Sequence, residues 1–252
     1  MMRKLLLIIL IALFMGACVS NRKSEPLNIL VFSKTIGYRH DCIPAGLAAL
    51  EKLRAENDWQ MLATEDSLLF TPETLDTIDV VVFLQTIGDI FDDSQQEALK
   101  SFVMNGGGLV TIHTGTITEN GWPWFVDAVG GIFVGHPPTQ KGTLIIEDRN
   151  HPATAFFPDT TWIIEDEWYS FDRNPRKDVQ VLISVDESTY DVDDNKWFDG
   201  AVQRMGDHPL VWHKTVGEGR VFQTALGHTP EHYSNTLFIQ HIGGAIKWAG
   251  DH

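Results

Sequence analysis

The stretch Gly106-Gly107-Gly108-Leu109-Val110-Thr111-Ile112-His113-Thr114-Gly115 decides the fold. A glycine run feeds a short apolar strand that stops on a histidine. The helical pattern before it ends at Asn105-Gly106, residue types that tolerate the left-handed backbone of a helix C-terminus. Helix, glycine turn, buried strand and polar stop make one step of an open α/β sheet. Such sheets bind ligands beyond the carboxyl ends of their strands, so His113 is the first candidate for chemistry. Read alone, a histidine there is more simply a strand cap bonded to a neighbouring backbone group, and its companions must decide.

Upstream, the same alternation repeats. Residues 28–33 are β-branched and apolar, and the loop Lys34-Thr35-Ile36-Gly37-Tyr38-Arg39-His40-Asp41 follows them. Ile43, Leu47, Leu50 and Leu53 then recur at helical spacing. Lys34, Arg39 and His40 thus stand at the carboxyl end of the first strand, while Cys42 reads as a small filler at the helix start. Residues 59–64 form a second strand. Residues 78–84 form a third, with the unbroken apolar character of a parallel strand covered on both faces. Asp93 or Ser94 is expected to cap a helix over 95–104. This order predicts a doubly wound, mostly parallel sheet flanked by helices.

Downstream, an aromatic helix over 122–130 carries Trp124, and strands are expected at 143–147, 161–164, 179–185, 210–213 and 220–226, with a hairpin turn at Gly217-Glu218-Gly219. A final helix over 235–249 turns Phe238, Ile242, Ala245, Ile246 and Ala249 inward. Polar motifs punctuate the strands: Gly135-His136-Pro137, Asn150-His151-Pro152, Asp166-Glu167-Trp168-Tyr169, Asp207-His208-Pro209 and Gly227-His228. His136, His151 and His208 each precede a proline, which pushes their backbones to extended geometry. The acidic run 186–199 reads as a solvated loop, because Asp191-Val192-Asp193-Asp194-Asn195 lacks EF-hand spacing.

At the amino terminus a basic start, Met1-Met2-Arg3-Lys4, precedes an apolar run too short to span a bilayer and then Gly16-Ala17-Cys18. Residues 1–17 read as a signal peptide. Met15-Gly16-Ala17-Cys18 resembles a bacterial lipobox, which implies a diacylated Cys18, and two acyl chains make a stable anchor. Residues 18–27 are then a tether and 28–250 one α/β domain. The expected location is the bacterial cell envelope, periplasmic or surface-exposed. Cys42 is the one thiol left, so no intrachain disulfide forms. The chain holds 34 acidic and 19 basic residues; loss of Arg3 and Lys4 takes the net charge from −15 to about −17. Such a surface repels phosphate backbones and excludes nucleic acid as a partner.

The ordered motifs, from Val31 through the 34–41 loop to His113, His136, His151, 166–169, 207–209 and 224–229, resemble the ThuA-like (trehalose utilisation) family. The resemblance implies a fold similar to class I glutamine amidotransferases, with flavodoxin-like layering. His113 then falls where an amidotransferase carries its cysteine, and imidazole cannot sustain thioester chemistry, so glutaminase activity should be absent. His228 with Glu231 falls where the base and its orienting carboxylate would lie. The resemblance also implies disaccharide catabolism, especially of oxidised 3-keto-glucosides.

Three functions are consistent with these residues. The first is a sugar-processing enzyme in which His113, His136, His228 and Glu167 act on a disaccharide or 3-keto-glycoside. Lys34, Arg39, His40, Trp124, His151, Asp166, Trp168, Tyr169, Asp207 and His208 would bind the substrate. A base would remove the proton α to the carbonyl and Arg39 or Lys34 would stabilise the enolate. Hydrolysis by the pair Asp166 and Glu167 is disfavoured, since neighbours on a strand face opposite sides. This reading needs no cofactor. The second is a metal-dependent hydrolase with a divalent ion such as zinc on His113, His136 and His228, although their spacing matches no short zinc motif. The third is a non-catalytic, lipid-anchored binder that stacks sugars on Trp122, Trp124, Trp168 and Tyr169. The partners expected are a small carbohydrate, the membrane through the lipid and either a second copy of the chain or a sugar oxidoreductase.

Overall fold

A computed structural model describes residues 26–194, 197–198 and 200–251; the signal segment, Cys18 and most of the tether lie outside the described residues. Strand and helix alternate through β1 (Asn28–Phe32), α1 (Ile43–Asn57), β2 (Gln60–Thr64), the single turn α2 (Pro72–Leu75), β3 (Val80–Leu84), α3 (Asp93–Met104) and β4 (Gly108–Ile112). After α4 (Pro123–Val129) come β5 (Phe133–Gly135), β6 (Gln140–Ile146), β7 (Thr161–Asp166), β8 (Ser170–Phe171), β9 (Gln180–Asp186), β10 (Pro209–Val216) and β11 (Gly219–Thr224). The chain closes on α5 (Thr236–Gly250).

The main sheet runs β2-β1-β3-β4-β11-β10-β9-β6-β7. Its first five strands are mutually parallel. From β11 onward each neighbour is antiparallel, so a meander extends the doubly wound parallel part. β5 and β8 pair separately. Period-2 alternation divides the core. Ile29 and Val31 of β1 join α1 and α5 on one face, while Leu30 and Phe32 join α2, α3 and α4 on the other. The order reverses between β1 and β3, and at such a switch point the connections leave to opposite faces and open a crevice at the carboxyl ends. His40, Gln85, His113 and His228 all follow strands that end there.

Two local expectations change. The cap of α3 is Asp92, not Asp93 or Ser94: its carboxylate accepts from the Ser94 and Gln95 amides while the Gln95 side chain accepts from the Asp92 amide. Glu187, read as part of a solvated loop, is buried and accepts from the Met205 and Gly206 amides beside His208.

The glycine run before β4 answers a packing demand. A Cβ on Gly108 would stand 2.6 Å from the Ala249 carbonyl oxygen, because α5 crosses directly over the strand start. Gly108→Ala is therefore expected to cost about 1–3 kcal/mol of overpacking strain. At about 2–4 °C per kcal/mol for a domain of this size, its melting temperature should fall by roughly 2–12 °C. An unchanged melting temperature would show that α5 can lift away freely.

Candidate active site

His113 ends β4 on a sharp turn. Its backbone lies at φ 67° and ψ −75°, a conformation costly for a non-glycine residue and common where chains present a reactive group. Two contacts fix it. Its amide donates to the Thr224 carbonyl at 2.7 Å, and its Nδ1 lies 2.7 Å from the Ala225 carbonyl oxygen. A carbonyl only accepts, so Nδ1 carries the proton and Nε2 is left as an acceptor. The Tyr169 hydroxyl, 2.7 Å away, donates to it. Burial holds the Tyr169 phenol far above its ordinary pKa, with the Glu167 and Asp166 carboxylates adding to the effect, so it keeps its proton.

Glu167, just beyond β7, is the centre of the cluster. Its Oε2 lies 3.4 Å from His113 Nε2 and 3.2 Å from His228 Nδ1, and its Oε1 lies 3.4 Å from His136 Nε2. His40 packs edge-on to both His113 and His228, with ring centroids 5.0 and 5.3 Å away. Burial alone would raise the Glu167 carboxyl. The close approach of His113, with His136 and His228, outweighs it and brings the group below the ordinary carboxylate range. Burial lowers His136 and His228, and burial with the neighbouring imidazoles pushes His40 down to about 2. Near neutral pH the site thus presents one carboxylate and, at His40, His136 and His228, uncharged imidazoles.

His40, His136, Glu167, Tyr169 and His228 floor a cavity of about 480 Å³, a size that admits a small sugar, and His113 is buried behind them. Ile87, Ile117, Phe133 and Phe198 wall it, and Tyr38 and Trp197, 63% and 54% exposed, line it from solvent-facing positions. Such flat apolar rings suit the faces of sugar rings.

Asp166 faces the other way from Glu167 and is wholly buried. It accepts from the Gly227 amide at 2.8 Å, the His228 amide at 3.2 Å and the Glu167 amide at 2.9 Å, and it pairs with His232 at 2.9 Å. One carboxylate thereby ties the two loops that carry Glu167 and His228. With Asp166 so occupied, only Glu167 is open to the cavity, which weighs against a two-carboxylate glycosidase. Glu231 is exposed, and the carboxylate beside His228 is Glu167 rather than the Glu231 expected from the amidotransferase comparison.

The structure thus brings His40, His113, His136, Glu167, Tyr169 and His228 together, with Asp166 beneath them. His208 lies one layer out, its Nε2 2.8 Å from the Tyr169 carbonyl oxygen, and holds that segment in place. The other candidates lie elsewhere. Lys34 is engaged by Ser67 and the Ile90 carbonyl, and exposed Arg39 pairs with Glu65. Trp124 packs on Trp122 against the core on the α2, α3 and α4 side of the sheet, and Trp168 is buried in the core on the other side. His151 stacks on His213 beside Trp248, and Asp207 binds Arg176 at the surface. The zinc set named from the sequence also shifts. Ligand atoms of His40, His113, Glu167 and His228 lie within 4.8 Å of one another, while His136 approaches the second carboxylate oxygen.

Sequence reasoning missed Phe133, Phe198, Ile87 and Ile117, which carry no signal beyond being apolar, and His232. The last was within reach, since it stands five residues from Gly227 in the same polar loop.

Comparison with known proteins fits this architecture. The profile of the ThuA (trehalose utilisation) family matches residues 28–249, and the chain belongs to that family. A ThuA-like protein from Bacteroides uniformis ATCC 8492 is similar over 92% of this chain and 94% of its own, at 23% identity and a TM-score of 0.74. Another, from Parabacteroides merdae ATCC 43184, is similar over 90% and 91%, at 19% identity and a TM-score of 0.70. The shared fold is glutamine amidotransferase-like. No curated protein matches the chain.

Proposed function

We propose that this protein is a sugar-processing enzyme whose substrate is a keto-glycoside and whose chemistry is proton removal next to the ketone. The observation that carries this reading is the convergence of His136, His228 and Glu167 in an apolar, aromatic-lined cavity, with His113 buried directly behind Glu167. His136 lines the cavity with its Nδ1 2.9 Å from the Pro137 carbonyl oxygen, which keeps the proton on Nδ1 and leaves the Nε2 lone pair to accept one from the substrate. The electron pair of the broken C–H bond moves onto the carbonyl oxygen as an enolate. Its collapse breaks the β C–O bond and expels the glycosidic oxygen, which takes a proton from His136 or water and leaves as a hydroxyl. The enolate charge forms beside Glu167 and needs a counter-charge, which neither Lys34 nor Arg39 supplies. The sharp turn after β4 carries His113 where a thiol would be needed, so glutaminase activity is not expected. The lipobox-like segment ending at Cys18 supports action at the bacterial cell envelope as a lipid-anchored protein. A sugar oxidoreductase is the partner class that makes a keto-sugar.

Incubation of the purified protein with 3-ketotrehalose and with trehalose tests the reading. The keto-sugar should be consumed, deuterium should enter its α position in heavy water, and trehalose should remain. His136→Gln should slow consumption about 100-fold or more. Failure to turn over either sugar, with or without added divalent metal, overturns it. Sugar binding without turnover, unchanged in His113→Ala, would instead identify a non-catalytic binder.

A further inference from the structure

We propose that His40, His113, His228 and Glu167 hold a divalent transition cation, zinc in the first instance, in a three-nitrogen, one-oxygen site on the cavity floor. The role of the ion in catalysis rests on the keto-sugar reading; its binding does not.

Geometry is the first support. A tetrahedral ion with bonds of about 2.0–2.1 Å has ligand atoms about 3.3–3.4 Å apart. Glu167 Oε2 lies 3.4 Å from His113 Nε2 and 3.2 Å from His228 Nδ1, so two edges of that tetrahedron are already formed. The remaining ligand atoms are no more than 4.8 Å apart, within reach of small side-chain rotations. His40 comes from the loop after β1, His113 from the turn after β4, Glu167 from the end of β7 and His228 from the loop after β11. Four separate strand ends therefore aim at one point.

The second support is what these atoms lack. Nδ1 of His40 and Nδ1 of His228 are buried with no hydrogen-bond partner. An orphaned buried polar atom costs about 1–3 kcal/mol, and one of the two, His228 Nδ1, stands beside the Glu167 carboxylate, which marks a place where something positive belongs. His228 Nδ1 and Glu167 Oε2 face each other across 3.2 Å, and an ion between them satisfies both.

The surroundings are those of a ligand set. Metal-bound histidines commonly donate the other ring N–H to a backbone carbonyl, which fixes tautomer and aim. His113 does so to Ala225. Asp166 fixes the Glu167, Gly227 and His228 amides, so two ligand-bearing segments share one anchor. The Tyr169 hydroxyl, which donates to His113 Nε2 in the free protein, also neighbours Glu167 and can turn to it when the ion takes the nitrogen lone pair. His40, Glu167 and His228 line the cavity, so a ketone oxygen bound there can approach the ion as a further ligand. The ion then supplies the positive charge that the enolate needs and that no lysine or arginine among the described residues lining the cavity provides.

The test uses the full chain made without a histidine tag, stripped by chelator and titrated with Zn²⁺, Co²⁺ and Mn²⁺ by calorimetry. The Co²⁺ form is also read by visible absorption. One ion per chain is expected, with a rise in melting temperature and the intense Co²⁺ bands of a four- or five-coordinate site. His40→Gln and His228→Gln should each weaken binding by about tenfold or more. His213→Gln, in the remote histidine and tryptophan stack, should bind as the unaltered chain does. The spectrum of the unaltered chain stands even if a variant misfolds. Substoichiometric binding of all three ions, or affinity unchanged in both ligand variants, overturns the site. Turnover of the keto-sugar by metal-free protein overturns the ion's role and leaves the sugar reading intact, whereas stoichiometric binding without turnover supports the site and removes that reading.

Discussion

Replacing Glu167 by glutamine is expected to lower kcat/KM on a keto-sugar by about 10²–10⁴-fold while the chain still folds. The substitution keeps the shape of the side chain, which fills the centre of the site. It removes the one carboxylate that His113, His136 and His228 share at 3.2–3.4 Å. An amide offers one neutral oxygen and an NH₂ group in place of two equivalent anionic oxygens, so it is a far poorer partner for a positive group. The site also loses the negative charge that favours any proton or cation brought among the imidazoles. Stability should change by no more than about a kcal/mol or two, since burying a carboxylate is itself costly and its removal offsets lost contacts. Steady-state kinetics and a thermal melt on the same preparation check both statements. Activity within tenfold of the unaltered enzyme would place the chemistry elsewhere in the cavity.

The range of the interactions decides how much of this is legible in the sequence. Each β-loop-α step is local, so β1, β3, β4 and their helices can be read from apolar runs, glycine stops and helical spacing. The same logic finds His113, His136, Glu167 and His228, because residues at strand ends announce themselves by a polar break after an apolar run. The order of β10, β9, β6 and β7 is not legible, since it depends on pairing between segments far apart in the chain, and alternation within a strand does not name its neighbour. Charge misleads in the loop after β1. Lys34 and Arg39 look like enolate stabilisers, but Ser67 and Glu65, on the segment just after β2, hold them. Trp124 and Trp168 look like sugar platforms, yet large aromatic rings bury so much apolar area that the core claims them first. His40, grouped with Lys34 and Arg39 as a binding residue, lies deepest of the three, and only the packing of its ring against His113 and His228 reveals it.

Asp166→Ala should be the most destabilising single change at the site. The residue is wholly buried and serves three amide donors and His232 at once. Truncation leaves those donors buried without an acceptor, because the alanine methyl neither replaces the oxygens nor makes room for ordered water to reach all four groups. Breaking a buried pair by removing one partner costs about 3–5 kcal/mol. At about 2–4 °C per kcal/mol, the melting temperature should drop by roughly 6–20 °C. The deficit should depend on pH. Burial works against charging His232, but the Asp166 carboxylate, by charge and hydrogen bond, lifts it above its ordinary value. A raised folded-state pKa contributes stability that is fully present below the unfolded value near 6.5 and is lost as pH rises through the folded value. The gap between the variant and the unaltered chain should therefore be widest near pH 6 and narrow toward pH 9 without closing, since the three amide bonds to the carboxylate persist there. A gap independent of pH would mean that the amides, not His232, carry the whole effect. His232→Ala separates the two contributions: it should reproduce the pH-dependent part alone and spare the loops that hold Glu167 and His228.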